Sequence, residues 1–338
     1  MIHVAINGFG RIGRRVFRLL QDYKNIQVVA INDLADTKTL SHLLKYDSVH
    51  GVFNGQISND DQHIIINNRK VPLLSKKHPK NINWKPFNVD FVIEATGKFK
   101  TTSDLEYHIK NGAEQVILSV PPIEDDVKTI VFGVNDDSID GTETIISNAS
   151  CTTNNAAPMI DIINKLCGIN QAYITTVHSY TTDQGLHDQP HRDLRRSRAA
   201  SQSIVPTTTG AAKALTKIFP ELSDVIGGCG IRVPVINGSL TDITFNVKRT
   251  VSIEDINNAF KDASRTNYKG ILEYTEDPIV SIDIVGNPHS CIFDSQMTSV
   301  IGNMVKIIGW YDNETGYSKR IIDLICNLSE KKRLLSIK

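Results

Sequence analysis

The chain has 338 residues, 40% hydrophobic and 22% charged, with 37 basic and 37 acidic side chains and a formal net charge of zero. That composition is ordinary for a soluble globular protein, and the length suits two domains, each able to bury a core without disulfides. The balanced charge argues against nucleic acid or a membrane surface as a required partner.

The first half alternates strand-like and helix-like segments. Ile2 to Ile6 is a short β-branched apolar run, as in a buried parallel strand, and a glycine-rich turn follows. Ile12, Val16, Leu19 and Tyr23 recur at helical spacing, and Ile26 to Ile31 reads as the next strand. Phe91 to Ile93, Val116 to Leu118, Ile130 to Phe132 and Ile145-Ile146 are further strand candidates. This alternation predicts an α/β domain of Rossmann type over residues 1–150, an open parallel sheet with helices on both faces.

The pattern changes near residue 150. Ile243, Phe245 and Val247 alternate with Thr244, Asn246 and Lys248, the period of a half-exposed strand in an antiparallel sheet. Val280 to Ile284 and Val305 to Trp310 are other strand candidates, and Ser252 with Asp255 opens a capped helix. Residues 151–315 therefore read as an α+β catalytic domain with a mainly antiparallel sheet. A last helix, about 316–338, is expected to pack back on the first domain, with a charged, frayed tail from Glu330 to Lys338.

Gly8-Phe9-Gly10-Arg11-Ile12-Gly13 fits GxGxxG. Alone the pattern is weak, but here it follows a strand, opens a helix, and has Asp33 at the end of the next strand. Glycines allow a tight turn and close approach to a pyrophosphate, the helix N-terminus offers free N–H groups, and Asp33 accepts from ribose hydroxyls. An incidental glycine turn is the competing reading. Thr96 and Ser119 also end strands on the side where such sheets bind ligands, although either could simply cap a helix.

The five cysteines, Cys151, Cys167, Cys229, Cys291 and Cys326, are odd in number and widely spaced, with no CxxC pair. They fit neither a disulfide framework nor a zinc site, so no metal is expected, and a reducing, cytoplasmic setting is. The N-terminus shows no signal-like run and no apolar stretch is long enough to span a bilayer. Cys151 stands out because Ser150-Cys151-Thr152-Thr153-Asn154 opens a helix after a strand. A helix N-terminus stabilises a thiolate, and at an unperturbed pKa only about 3% of a thiol is ionised at pH 7. An imidazole partner would help, and His178, ending the strand Tyr173 to Val177, is the best placed of ten histidines. The other four cysteines read as buried structural thiols.

These segments, together with His178-Ser179-Tyr180-Thr181, Asp193-Leu194-Arg195-Arg196, Thr209-Gly210-Ala211-Ala212-Lys213 and Trp310-Tyr311-Asp312-Asn313, resemble the phosphorylating glyceraldehyde-3-phosphate dehydrogenase family along nearly the whole chain. The resemblance implies NAD-dependent oxidation of glyceraldehyde 3-phosphate with inorganic phosphate, through a hemithioacetal and a thioester on Cys151, with His178 as base and acid. It implies cofactor contacts at Gly8, Gly10, Arg11, Ile12, Gly13, Asp33, Thr96, Ser119, Asn313 and Tyr317. It implies an inorganic phosphate site at Ser150, Thr152, Thr209 and Gly210. A site for the substrate's own phosphate falls at Thr181 and Arg232, with Arg196 or Arg195 nearby. It also implies a homotetramer.

Three positions depart from the family pattern. Asn155 stands where many relatives have a second cysteine, Gln189 where NAD-specific relatives have leucine before Pro190, and Thr315 where tryptophan is usual. The run Arg192, Arg195, Arg196, Arg198 reads first as a solvated or ion-paired surface, and otherwise as a phosphate contact. Two other functions compete: an erythrose-4-phosphate dehydrogenase with the same cysteine chemistry, and a cofactor-bound redox sensor in which Cys151 is only oxidised.

Overall fold

A computed structural model describes residues 1–335. The chain forms two compact units. The first holds Met1–Ile130, Asp136–Ala149 and the chain from Ser318, and the second holds Val131–Asn135 and Ser150–Tyr317.

The first unit is built on a nine-stranded sheet. Its order is Lys128–Thr129, Ile145–Ser147, Gln115–Leu118, Phe91–Glu94, Ile2–Asn7, Ile26–Asn32, Arg69–Leu74, His63–Ile66, Ile57–Asn59. The first seven run parallel and the last two add an antiparallel edge. Val4, Ala5, Ile6, Ala30, Ile31, Val92, Ile93, Ile117 and Leu118 are fully buried. Each large aliphatic among them contributes about 1.5–3 kcal/mol by leaving water. Chain order reverses at Ile2–Asn7: the next four strands of the sheet lie on one side, then Phe91–Glu94 returns to the other. Ligands of open parallel sheets bind at such a reversal, beyond the strands' carboxyl ends.

The second unit has a mixed sheet ordered Val205–Thr207, Ile226–Val233, Ile169–Ser179, Ser239–Val247, Met304–Tyr311, Cys291–Asp294, Leu272–Thr275. Two neighbouring pairs are parallel and the rest antiparallel. Ser239–Val247 alternates between buried and half-exposed positions, as its period of two requires. The helix Cys151–Cys167 packs on this sheet and is buried along most of its length. The helix Ile253–Arg265 opens with the expected capping box: Ser252 accepts from the Asp255 N–H, and Asp255 accepts from the Ser252 N–H.

Several expectations need correction. The helix Arg11–Leu20 buries Gly13, Val16, Phe17 and Leu20, not Ile12, Leu19 and Tyr23. A Cβ on Gly13 would lie 2.2 Å from the Gly8 carbonyl oxygen, so the face carrying Gly13 lies against the turn. The strand expected at Ile130 to Phe132 is Lys128–Thr129, because the Val131 N–H is diverted to Asn135 Oδ1 at 2.8 Å. Val280 to Ile284 is a turn, not a strand. Asp283 Oδ2 accepts from the Val280 N–H at 2.8 Å, and Val280 and Ile282 are exposed. Glu330 to Leu335 is helical, part of Thr315–Leu335. Lys331 Nζ donates to the carbonyls of Asp136 and Ile139 at 3.0 and 2.5 Å, and Lys332 pairs with Glu114. The rest of the expected tail, 336–338, lies outside the described residues. Among the thiols, Cys167 and Cys291 are buried as expected, but Cys229 and Cys326 are half-exposed.

Candidate active site

The dinucleotide fingerprint occupies the reversal point of the parallel sheet. Gly8 has φ +94°, a conformation that disfavours any side chain, and a Cβ there would lie 2.7 Å from the Thr96 backbone nitrogen. Gly10 caps the helix Arg11–Leu20 without a side-chain bond, and no acidic residue stands in its first turn. The helix N–H groups therefore keep their capacity for an anion. Asp33 ends the strand side of the cradle. Its Oδ2 accepts from the Phe9 N–H at 2.7 Å and its Oδ1 from the Ala35 N–H at 3.0 Å, which fixes the carboxylate while leaving lone pairs for further donors. Arg11 is held by a bidentate pair with Asp47, at 2.7 and 3.0 Å. Ser119 is buried and its N–H extends the ladder to the Glu94 carbonyl at 3.0 Å. These residues fit a dinucleotide. Of the expected cofactor contacts, Gly8, Gly10, Arg11, Ile12, Gly13, Asp33, Thr96 and Ser119 belong to the first unit, and Asn313 and Tyr317 to the second.

Cys151 is the first residue of its helix. Ala149, two residues earlier, has φ +57°, a strained turn for a non-glycine residue. Ser150 caps the helix by accepting from the Thr153 N–H at 3.0 Å. Strand register brings the partner: His178 lies beside Arg232 on the parallel neighbour. His178 Nε2 is 3.3 Å from Cys151 Sγ. Its Nδ1 is 2.7 Å from the Ser179 carbonyl and 2.7 Å from Arg232 Nη1, while Nη1 is 3.0 Å from the same carbonyl. A carbonyl only accepts and a guanidinium only donates, so Nδ1 can bond one of them at a time. With its proton on Nδ1 directed at Ser179, the ring presents an unprotonated Nε2 to the thiol.

Burial dominates the charge state of this pair. It raises the Cys151 thiol pKa above the ordinary value, against the opposing pull of Arg232 and of Thr152, whose N–H and hydroxyl favour the thiolate. Burial, with the Arg232 charge second, pushes His178 down to about 3. Burial thus favours the thiol and the neutral imidazole in the resting pair. The thiolate enrichment expected from a helix N-terminus is outweighed by desolvation.

Thr181 and Arg196, both expected near the substrate's phosphate, meet at Asp183. Arg196 Nη1 pairs with Asp183 at 2.6 Å, its Nε donates to Thr207 Oγ1 at 2.9 Å, and its Nη2 to the Thr208 carbonyl at 3.3 Å. Thr181 donates its hydroxyl to Asp183 as well. Asp183 thus engages two of the groups assigned to substrate phosphate, and its own pKa is lowered: burial opposes this, but Thr181, Arg232 and Arg196 outweigh it. Arg198 pairs with Asp188 at 3.0 Å, so part of the arginine run is ion-paired within the chain, while Arg192 and Arg195 are exposed. Thr209 accepts from the Ala211 N–H at 3.2 Å, next to Gly210, which caps the helix Ala211–Ile218 without a side-chain bond.

Sequence reading missed four contributors. Tyr311 is buried and its hydroxyl bonds those of Thr152 and Thr176, both at 2.9 Å. Its ring also meets His178 edge-on at 5.9 Å. It was visible only as part of a motif, because nothing local in sequence tells a buried strand tyrosine from one that orders a catalytic ring. Ser179 and Ser239 both donate to Asn313 Oδ1, at 2.9 and 3.0 Å, and the Gly238 N–H adds a third bond. The Asn313 carbonyl is thereby taken, which leaves its amide N–H₂ to donate to a ligand. Asp183 is the fourth. Asn155, the departure at the second-cysteine position, is fully buried, and its Nδ2 lies 3.2–3.3 Å from the carbonyls of Ser290, Gly309 and Trp310. It ties the catalytic helix to the sheet.

Comparison with known proteins places the chain in a family. Residues 2–102 match the glyceraldehyde 3-phosphate dehydrogenase NAD binding domain, and residues 150–313 match the glyceraldehyde 3-phosphate dehydrogenase C-terminal domain. The chain is 50% identical over 326 residues to glyceraldehyde-3-phosphate dehydrogenase 2 of Streptomyces avermitilis, covering 96% of this chain and 97% of that one. It is 45% identical over 333 residues to glyceraldehyde-3-phosphate dehydrogenase 1 of Bacillus cereus, covering 98% and 99%. It is also 47% identical over 331 residues to glyceraldehyde-3-phosphate dehydrogenase of Mycobacterium leprae, covering 96% and 97%. The chain belongs to the glyceraldehyde-3-phosphate dehydrogenase family. Its cofactor is NAD.

Membership accounts for both halves of the chain, an NAD-binding unit on a parallel sheet and a second unit on a mixed one. It also sets the expected cofactor preference. The Asp33 carboxylate would repel the 2′-phosphate of NADP, and no arginine follows it; Asp36 is occupied in capping the helix Thr37–Lys45. NAD is expected to exceed NADP by at least about tenfold in kcat/KM, or ~1.4 kcal/mol. Measuring both cofactors on the wild type and on Asp33→Ala checks this: equal wild-type efficiencies would contradict it, and no gain with NADP in the variant would remove repulsion as the cause.

Proposed function

We propose that the chain oxidises D-glyceraldehyde 3-phosphate to 1,3-bisphosphoglycerate with NAD and inorganic phosphate. The observation that carries this reading is Cys151 Sγ at 3.3 Å from His178 Nε2, on a chain of this family. Nε2 takes the thiol proton as the sulfur bonds the aldehyde carbon, and returns a proton to the carbonyl oxygen to give a hemithioacetal. Nε2 then withdraws the hydroxyl proton as the carbon loses hydride, leaving a thioester. Bound NAD supplies the hydride acceptor. The backbone N–H of Cys151 donates to the oxyanion that forms in each addition. Phosphate oxygen attacks the thioester carbon, the C–S bond breaks, and acyl phosphate leaves Cys151 free.

Thr181, Arg196 and Arg232 bind the substrate's phosphate, and Ser150, Thr152, Thr209 and Gly210 bind the attacking phosphate. The Asp183 contacts support the first assignment: a carboxylate already sits where Thr181 and Arg196 direct their donors. Substrate phosphate displaces it and draws on Arg232, which relieves the guanidinium's repulsion of a protonated His178. Arg232→Ala is expected to weaken productive binding of the phosphorylated aldehyde by about 1.5–3 kcal/mol, the scale of a hydrogen bond to a charged group, with little loss on unphosphorylated glyceraldehyde. Steady-state kinetics on both aldehydes measure it; equal losses would make Arg232 structural.

Steady-state assays with glyceraldehyde 3-phosphate and erythrose 4-phosphate, with and without phosphate, test the substrate directly. Turnover that favours the tetrose or ignores phosphate would reject this reading. We further take the assembly to be a homotetramer and the compartment the cytoplasm. Exposed Tyr173, Leu186, Leu194 and Ile204 support association, and five free cysteines support a reducing setting. Among the described residues no helix is long and apolar enough to cross a membrane.

A further inference from the structure

Beneath the dinucleotide cradle lies a buried polar network that the chemistry above does not use. Glu94, the last residue of the strand Phe91–Glu94, and His108, in the helix Thr102–Lys110, are both fully buried. Glu94 Oε2 accepts from Asn7 Nδ2 at 2.5 Å and lies 3.2 Å from His108 Nε2. Glu94 Oε1 accepts from the Thr96 N–H at 2.9 Å and from the Thr96 hydroxyl at 2.5 Å. The direction of the histidine bond follows from Trp84, whose indole N–H only donates and lies 3.0 Å from His108 Nδ1. Nδ1 accepts, so Nε2 carries the proton and donates to Glu94. Asn7 is held in turn: Asn32 Nδ2 donates to its Oδ1 at 2.8 Å, and Asn32 is fixed through the Lys76 backbone, donating to its carbonyl and accepting from its N–H.

Asn7, Asn32 and Glu94 are the terminal residues of three adjacent parallel strands. A single acceptor-only carboxylate with all four of its acceptor positions filled clamps the carboxyl ends at the reversal point. It also sets the place of Thr96, whose backbone is the surface Gly8 closes against. An ordinary core would put apolar side chains here, since buried polar groups add little stability over well-packed hydrophobic ones.

We infer that Glu94 and His108 are positioning residues for NAD, holding the Ala95–Gly97 turn in the shape the fingerprint loop requires. This rests on the reading of that turn as part of the cofactor cleft. Glutamine at position 94 would set an amide N–H₂ against groups that all donate. Leucine at 108 would remove one donor and strand the Trp84 N–H. Glutamine at 108 keeps an N–H where Nε2 stands and an oxygen for Trp84.

The test is NAD binding to the purified full chain by calorimetry, at a temperature well below each variant's melting point, with KM for glyceraldehyde 3-phosphate measured at saturating NAD. Glu94→Gln and His108→Leu are expected to raise the NAD Kd by about tenfold or more, the scale of one lost bond to a charged group. The aldehyde KM should change little, and His108→Gln should recover most of the affinity. A lowered melting temperature with unchanged NAD Kd in His108→Leu would overturn the inference, as would failure of His108→Gln to recover a lost affinity. If Glu94→Gln does not fold, the two His108 variants decide. Thr96→Ala separates the underlying reading: unchanged Kd in it and in the network variants would remove this turn from the cofactor cleft. A raised Kd in Thr96→Ala alone would leave the cleft and sink only the positioning role.

Discussion

Cys151→Ser is expected to lose aldehyde oxidation by more than about 10³-fold, the scale on which removal of a nucleophile acts. Serine at this position keeps the helix start and a hydroxyl facing His178, so the loss reports chiefly on the chemistry of sulfur. An alcohol is a far weaker acid than a thiol, and a base as poor as the buried His178 cannot ionise it appreciably. NAD affinity should stay close to wild type, because the fingerprint cradle belongs to the other unit. Turnover and NAD binding are measured on the same preparation. More than a few per cent of wild-type turnover would refute the covalent route. Wild-type protein mixed with aldehyde and NAD, phosphate withheld, should show the acyl mass on Cys151.

His178→Asn is expected to slow the chemical step by roughly 10²–10⁴, the range for loss of a positioned general base. The pH dependence of alkylation carries a sharper expectation. Because burial favours a neutral imidazole, removing it should take little positive charge from beside the thiol. The alkylation rate of wild type should keep rising with pH beyond the ordinary thiol range, and His178→Asn should shift that profile only slightly. Arg232→Ala removes a real charge that favours the thiolate, so its profile should move to higher pH. Iodoacetamide rates across pH on the three proteins measure this. A large shift in His178→Asn would mean that the resting pair is ionic, and normal turnover in that variant would remove His178 from the mechanism.

Much of this protein was determined by sequence alone, where the physics is local. A parallel strand buried on both faces must be an apolar run, so Ile2 to Ile6 and Phe91 to Ile93 were legible. So was the half-exposed strand at Ile243 to Val247, because its period is two. Gly8, Gly10 and Gly13 with Asp33 were legible because a tight turn onto a helix admits few residues. Cys151 was legible because a cap motif announces a helix start. The failures also had local causes: the side chains of Asn135 and Asp283 claimed backbone N–H groups that an apolar pattern had assigned to strands. Only tertiary structure decided the rest. His178 was already the best placed of ten histidines in sequence, but its approach to Cys151 required the register that puts it beside Arg232. The charge state of the pair required burial, which local sequence does not encode and which reversed the thiolate expected at a helix N-terminus. Tyr311, Asp183 and the Glu94–His108 clamp join residues from 2 to 159 positions apart. The long-range bonds among them, Tyr311 to Thr152 and Thr176 above all, exist only once the strands have paired, so no pattern along the chain could announce them.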